Sequence, residues 1–177
     1  MINDLEQKLR RIKLLISDVD GVLTNGSIYK GNEGVEFKQF SVLDGAAVAF
    51  ARTAGLKLAV ISGRYSPATT ARMEELGVDD CYQGGLDKKK PYREILNKHE
   101  LQDEEVSFIG DDLIDAPVME RVGVAIAVEN AHPFIKEIAH FTTEKSGGEG
   151  VLREAVELIL KSQGVYDETI RRIREQI

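Results

Sequence analysis

Asp18 and Asp20 stand two apart at the end of the apolar run Ile12-Lys13-Leu14-Leu15-Ile16-Ser17, and Gly21 follows them. In extended backbone, residues two apart project to the same side, so both carboxylates can face one point while Gly21 turns the chain away. Like charges held so close need a compensating cation or a shared proton. Asp111 and Asp112 end a second apolar run, Val106-Ser107-Phe108-Ile109, and Ser62 ends a third, Leu58-Ala59-Val60-Ile61. With Asp111 converging on the first pair, the compensator is expected to be Mg2+, a hard ion that prefers carboxylate oxygen, water and phosphate. Any one of these aspartates alone reads as a turn residue. The whole set in one crevice does not.

These groups work together only if the apolar runs are neighbouring strands. The short runs are continuous, as in strands covered on both faces, and helical segments alternate with them. That alternation predicts a doubly wound α/β domain with a parallel sheet, which gathers ligands beyond the carboxyl ends of its strands. Between the first strand and an alanine-rich helix through Ala54, Ser27 to Lys38 alternates apolar and charged residues around Gly31-Asn32-Glu33-Gly34 and predicts a β-hairpin over about 26–40. Asp44-Gly45 is expected to precede that helix, Ser66-Pro67 to open the next, Lys88 to open a third, and Asp115-Ala116-Pro117 and His132-Pro133 to cap two more. Residues 164–177, polar and charged, read as a frayed helix or a docking arm.

Composition bounds the alternatives. A chain of 177 residues, 42% hydrophobic and 30% charged, fits one domain spanning 1–177. A net charge of -7 argues against broad nucleic-acid binding. No uninterrupted apolar run of about 18 residues occurs, so no membrane span is expected. The N-terminus lacks a secretory build, and the one cysteine, Cys81, has no partner, which points to the cytoplasm. Cys81 reads as packing, and His99, His132 and His140 lack metal-ligand spacing.

The order of the motifs resembles the haloacid dehalogenase superfamily of phosphotransferases. Asp18-Val19-Asp20-Gly21-Val22-Leu23-Thr24 looks like its first motif, Ser62-Gly63 its second, Lys88 its third and Gly110-Asp111-Asp112-Leu113-Ile114-Asp115 its fourth. The resemblance implies that Asp18 attacks phosphorus and Asp20 acts as acid and then base. Ser62 and Lys88 would hold the phosphoryl group. Mg2+ would sit on Asp18, the Asp20 main-chain carbonyl and Asp111, with Asp112 and Asp115 behind them. Neither place where such proteins insert a cap has room for one, so a Rossmannoid sheet with a hairpin and no cap domain is expected.

A capless build with this hairpin resembles the 3-deoxy-D-manno-octulosonate 8-phosphate phosphatase branch over about Lys13 to Gly164. The quoted motifs, Ser41-Val42-Leu43-Asp44-Gly45, Ile61-Ser62-Gly63-Arg64 and Asn130-Ala131-His132-Pro133 carry that likeness. It implies a small phosphorylated sugar acid as substrate and a homotetramer in which neighbours help close each site. Asp20, Ser41, Val42, Leu43, Asp44, Gly45, Arg64, Arg72 and Lys88 would line the pocket. Arg64 and Arg72 suit a carboxylate, although Arg72 reads equally as a solvated helix charge. Members of the octulosonate type usually carry arginine where this chain has Leu43 and Ala49. That departure keeps other substrates open, among them nonulosonate and aryl phosphates, the latter as in phenylphosphate carboxylase delta subunits. Two alternatives outside enzymology are a receiver-like phosphorylation switch, disfavoured by the motif order, and an idle subunit, disfavoured by intact motifs.

Overall fold

A computed structural model describes residues 4–176. Its centre is a six-stranded parallel sheet in the order β5-β4-β1-β6-β7-β8. The strands are β1 (Leu14–Ser17), β4 (Lys57–Ser62), β5 (Asp80–Gln83), β6 (Val106–Gly110), β7 (Val124–Ala127) and β8 (Phe141–Thr142). From β1 the chain steps outward to β4 and β5, then crosses back to β6 on the other side of β1. The order reverses there, and the crevice beyond the ends of β1 and β6 is where such a sheet binds ligands. Register places Ser17 beside Val60 and Ile109, so the residues that follow each strand emerge at one level. β1, β6 and β7 are buried along their whole lengths, as their unbroken apolar sequences require.

Helices cover both faces, as expected for a doubly wound sheet. On one side α1 (Asp4–Leu9), α2 (Val42–Ala54), α7 (Val151–Ser162) and α8 (Tyr166–Gln176) touch one another. Elsewhere α4 (Lys89–His99) meets α5 (Ala116–Met119), which meets α6 (Pro133–Ile138); α3 (Pro67–Leu76) links β4 to β5. In α7, Val151, Leu152, Ala155, Val156, Ile159 and Leu160 are buried, the stripe of an amphipathic helix. No cap domain interrupts this order. Between β1 and α2 lies only a hairpin of β2 (Tyr29–Lys30) and β3 (Glu36–Phe37), antiparallel with Lys30 opposite Glu36.

Several local expectations change. α2 starts at Val42, capped by the Ser41 hydroxyl, which accepts from the Leu43 amide at 3.2 Å. Asp44 and Gly45 therefore lie inside its first turn and do not precede it. Ser66 and Asp115 occupy N-cap positions without capping through their side chains. His132 does cap α6, its Nδ1 accepting from the Phe134 amide at 3.2 Å. Residues 166–176 form a helix docked on the chain itself, with Tyr166 beside Phe50 at 6.4 Å between ring centroids and Thr169 buried. Ile177, the end of the anticipated arm, lies outside the described residues. α1 and the two-residue β8 had no distinct sequence signal.

Candidate active site

Asp18 follows β1 directly and its amide still donates to the Ile109 carbonyl at 3.0 Å, which anchors it to the sheet. Its Oδ1 accepts from Lys88 Nζ at 2.6 Å, and the same ammonium donates to Asp115 Oδ1 at 2.6 Å. The Lys88 and Asp115 side chains are 0% exposed. Asp115 Oδ2 in turn accepts from the amides of Asp111 and Asp112 at 3.0 and 3.3 Å. This is why Asp115 does not cap α5: its carboxylate points back, holding the loop that carries Asp111.

Oxygens of Asp18, Asp111 and Asp115 lie within 4.8 Å of one another. Burial raises the Asp18 carboxyl to about 6 against the pull of Lys88. Burial, then the charges of Asp18 and Asp115, raise Asp111 to about 8. Burial depresses Lys88, but the two carboxylates outweigh it and hold its pKa above the ordinary lysine value. One lysine thus faces three carboxylates in a dry site, a charge imbalance that a hard divalent cation corrects. The all-oxygen donor set fits Mg2+. Gly21 lets Asp111 approach: its φ is +94°, and a Cβ there would lie 2.1 Å from Asp111 Oδ2. Asp112 stays outside the cluster, exposed, its Oδ1 accepting from the Leu113 amide.

Asp20 turns to the other side. Its Oδ1 accepts from Lys38 Nζ, Arg64 Nη1 lies 3.9 Å from Oδ2, and that buried Oδ2 has no hydrogen-bond partner. Arg64 Nη2 donates to Glu36 Oε2 at 2.8 Å. Lys30 and Arg64 hold the Glu36 carboxyl down near 2, so this network stays charged. Sequence reading did not single out Glu36 or Lys38. A signal existed: period two puts both on one face of the hairpin strand. The inversion was illegible, because that charged face turns inward while Val35 and Phe37, 48% and 61% exposed, face solvent.

Ser62 ends β4 at 2% exposure, its hydroxyl donating to the Arg64 carbonyl at 3.0 Å and accepting the Arg64 amide at 3.3 Å. Ser41, Val42 and Leu43 open α2, with Val42 and Leu43 exposed. Asp44 is not with them. It is 4% exposed, and Oδ1 accepts from the Arg153 amide at 3.2 Å, capping α7 where Gly150 has no side chain to offer. Arg72 pairs with Glu75 at 2.8 Å and presses on Gly45, whose Cβ would meet its Nη2 at 2.7 Å. Asp44 and Arg72 line an interior cavity of about 20 Å³, far too small for a sugar acid. The structure thus brings Asp18, Lys88, Asp111 and Asp115 together, sets Asp20 and Arg64 beside them under the hairpin, and turns Asp44 to the start of α7 and Arg72 to Glu75.

Comparison with known proteins agrees with this geometry. Residues 79–154 match the model of the haloacid dehalogenase-like hydrolase family. The chain is 43% identical over 165 residues to the 3-deoxy-D-manno-octulosonate 8-phosphate phosphatase KdsC of Escherichia coli K12, covering 93% of this chain and 88% of that protein. The Yersinia pestis phosphatase of that name superposes with a TM-score of 0.91 at 43% identity, over 93% of this chain and 89% of that one. The Moraxella catarrhalis phosphatase, solved with a magnesium ion, a phosphate ion and KDO, superposes with a TM-score of 0.93 at 36% identity over 98% and 99% of the two chains. With a matching fold and this identity along nearly its whole length, the chain belongs to the 3-deoxy-D-manno-octulosonate 8-phosphate phosphatase family of haloacid dehalogenase-like hydrolases.

Proposed function

We propose that this chain is a Mg2+-dependent phosphatase that hydrolyses a small phosphorylated sugar acid, 3-deoxy-D-manno-octulosonate 8-phosphate, through an aspartyl-phosphate. The observation that carries the reading is the buried Lys88 bridging Asp18 and Asp115 beside Asp111. Lys88 holds Oδ1 of Asp18, which leaves the other carboxylate oxygen to attack phosphorus. As that oxygen bonds to phosphorus, the bond from phosphorus to the sugar oxygen breaks and Asp20 gives its proton to the departing alkoxide. In the second half Asp20 takes a proton from water, the water oxygen bonds to phosphorus, and the bond to Asp18 breaks to release phosphate. Ser62 and Lys88 hold phosphoryl oxygens throughout. Asp18, Asp111 and the Asp20 main-chain carbonyl would hold Mg2+, which when bound draws charge from the phosphoryl oxygens. Asp115 and Asp112 act from behind, Asp115 by fixing Lys88 and the Asp111 amide.

The partner we assign beyond the substrate is a second copy of the chain, in a homotetramer. The hairpin supports it: Ile28, Tyr29, Val35 and Phe37 are 45–61% exposed on its outer surface. Apolar surface of this kind on a capless enzyme marks a contact face. Among the described residues no helix is long and apolar enough to cross a membrane. A second substrate reading, an aryl phosphate, is favoured by Leu43 and Ala49, both exposed on α2 without charge. Phosphate release from sugar-acid, sugar and aryl phosphates, with and without Mg2+, by wild type and Asp18→Asn separates the readings. Turnover of the sugar acid that needs both Mg2+ and Asp18 is expected. Undiminished turnover by Asp18→Asn removes the covalent route, and activity confined to aryl phosphate moves the substrate class.

A further inference from the structure

Leu43 stands in the first turn of α2, 47% exposed. Across from it, Gly150 opens α7 with a φ of +96°. A Cβ on Gly150 would lie 3.1 Å from Cβ and Cδ1 of Leu43 and 3.3 Å from Nζ of Lys145. The ammonium of Lys145 and the side chain of Leu43 therefore flank one glycine, within an arginine side chain's reach of each other. The first turn of α2 carries no cation, and the neighbouring loop does.

The loop is built to hold that charge still. The Lys145 amide donates to Glu154 Oε2 at 3.2 Å, and its carbonyl accepts from Thr143 Oγ1 at 2.7 Å and from the Glu129 amide at 3.2 Å. The Gly147 amide donates to Asn130 Oδ1 at 2.9 Å, and the Gly148 amide to the Val22 carbonyl at 2.9 Å. Gly147 approaches Gly21 so closely that a Cβ would sit 1.8 Å from the Gly21 carbonyl oxygen. The loop is thus stitched to the turn that follows Asp18 and Asp20. Such a fixed backbone is the support that a recognition side chain needs.

The ammonium itself is unspent. Among the described residues it makes no hydrogen bond and no ion pair. Asp44 senses its charge, but the Asp44 carboxylate is buried and already capping α7. A part-buried cation on an anchored loop, with no carboxylate in ion-pair contact among the described residues, is the complement of an external anion. The phosphoryl end of the substrate belongs to Asp18, Ser62 and Lys88, which leaves the carboxylate.

We propose that Lys145 is a specificity-determining residue that binds the carboxylate of the sugar-acid substrate. The assignment rests on the sugar-acid reading above. Lysine supplies a point charge without the bidentate fork of arginine, so it grips the acid less selectively.

Steady-state kinetics on 3-deoxy-D-manno-octulosonate 8-phosphate and on 4-nitrophenyl phosphate, which has no carboxylate, test this. Lys145→Met is expected to raise KM for the sugar acid roughly tenfold or more while kcat changes far less, as loss of one charged contact implies. Its kcat/KM should fall at least about tenfold further on the sugar acid than on the aryl ester. Lys145→Arg should keep the wild-type KM, and adding Leu43→Arg to Lys145→Met should restore it. An unchanged KM for Lys145→Met, equal losses on both substrates, or no rescue by Leu43→Arg would overturn the assignment alone. Wild-type turnover of the aryl ester with none of the sugar acid would overturn the substrate reading and the assignment with it.

Discussion

Lys38 reaches from the base of the hairpin to Oδ1 of Asp20, its side chain 1% exposed, and leaves Asp20 Oδ2 buried without a hydrogen-bond partner. The two oxygens of one carboxylate are thereby made different. Oδ1 is held by a donor, while Oδ2 faces the Arg64 guanidinium at 3.9 Å.

Lys38→Met removes that hold while leaving Asp18, Lys88 and Asp111 in place. General acid catalysis contributes about 10²–10⁴-fold, and a mispositioned acid forfeits part of it. The expected result is a fall in kcat of about 10–100-fold on a sugar phosphate, whose alkoxide must be protonated as it leaves. On 4-nitrophenyl phosphate, whose leaving group needs no proton, the loss should be much smaller. Equal losses on the two esters would mean that Lys38 supports the fold or the phosphoryl site and not the acid.

Asp44 supplies a pH prediction. Burial raises its carboxyl to about 6, opposed by the amides of Arg153 and Leu152 and by Lys145 and Arg72. A folded-state pKa above the unfolded value near ~4 means that protonation favours the fold. That contribution is complete below about pH 4 and is lost as pH rises through about 6. Asp44→Asn can still accept from the Arg153 amide but never ionises. Its stability relative to wild type should therefore climb between about pH 4 and 7, by about 1–3 kcal/mol. Thermal unfolding of both proteins across that range checks it, and a difference independent of pH would sink it.

Asp111 carries the strongest unfavourable charge in the site, with its carboxyl near 8 through burial and the nearby Asp18 and Asp115. In metal-free protein at about pH 8.5, Asp111→Asn is expected to raise Tm by a few degrees, since about 1 kcal/mol shifts Tm by about 2–4 °C at this size. Added Mg2+ should raise the Tm of wild type by mass action and leave the variant nearly unmoved. A metal-free variant less stable than wild type would show that Asp111 holds the loop and is not merely repelled. Calorimetry with and without chelator makes the comparison.

The parts legible in the sequence are those governed by a fixed period. Asp18, Ser62 and Asp111 follow apolar runs, and a parallel sheet delivers all strand ends to one edge, so their convergence could be read without coordinates. The order in which the runs assemble, with Ile61 beside Tyr82 and Ile16 beside Phe108, is supplied by the structure. Direction of side chains at element starts was not legible. Moving the first residue of α2 from after Gly45 to Val42 rotates Asp44 from the pocket to the α7 terminus. The inward face of β3 was illegible for another reason. Apolar residues ordinarily turn to the core, and here Glu36 and Lys38 do so because Arg64 and Asp20 await them.

That inversion leads to the last prediction. Period two leaves Val35 and Phe37 outside once Glu36 and Lys38 are inside, and Phe37 is 61% exposed. An assembly of hairpins would bury this apolar surface. Phe37→Asp places a charge at the centre of the outer face without touching Asp20, Arg64 or the carboxylate cluster. Sedimentation velocity should show wild type as a tetramer and Phe37→Asp shifted to smaller species. Turnover of the sugar-acid phosphate should fall with the loss of assembly, because no neighbour then helps to close each site around its substrate. If Phe37→Asp stays tetrameric with full activity, the hairpin face is not the interface. If it becomes monomeric with full activity, each subunit completes its own site.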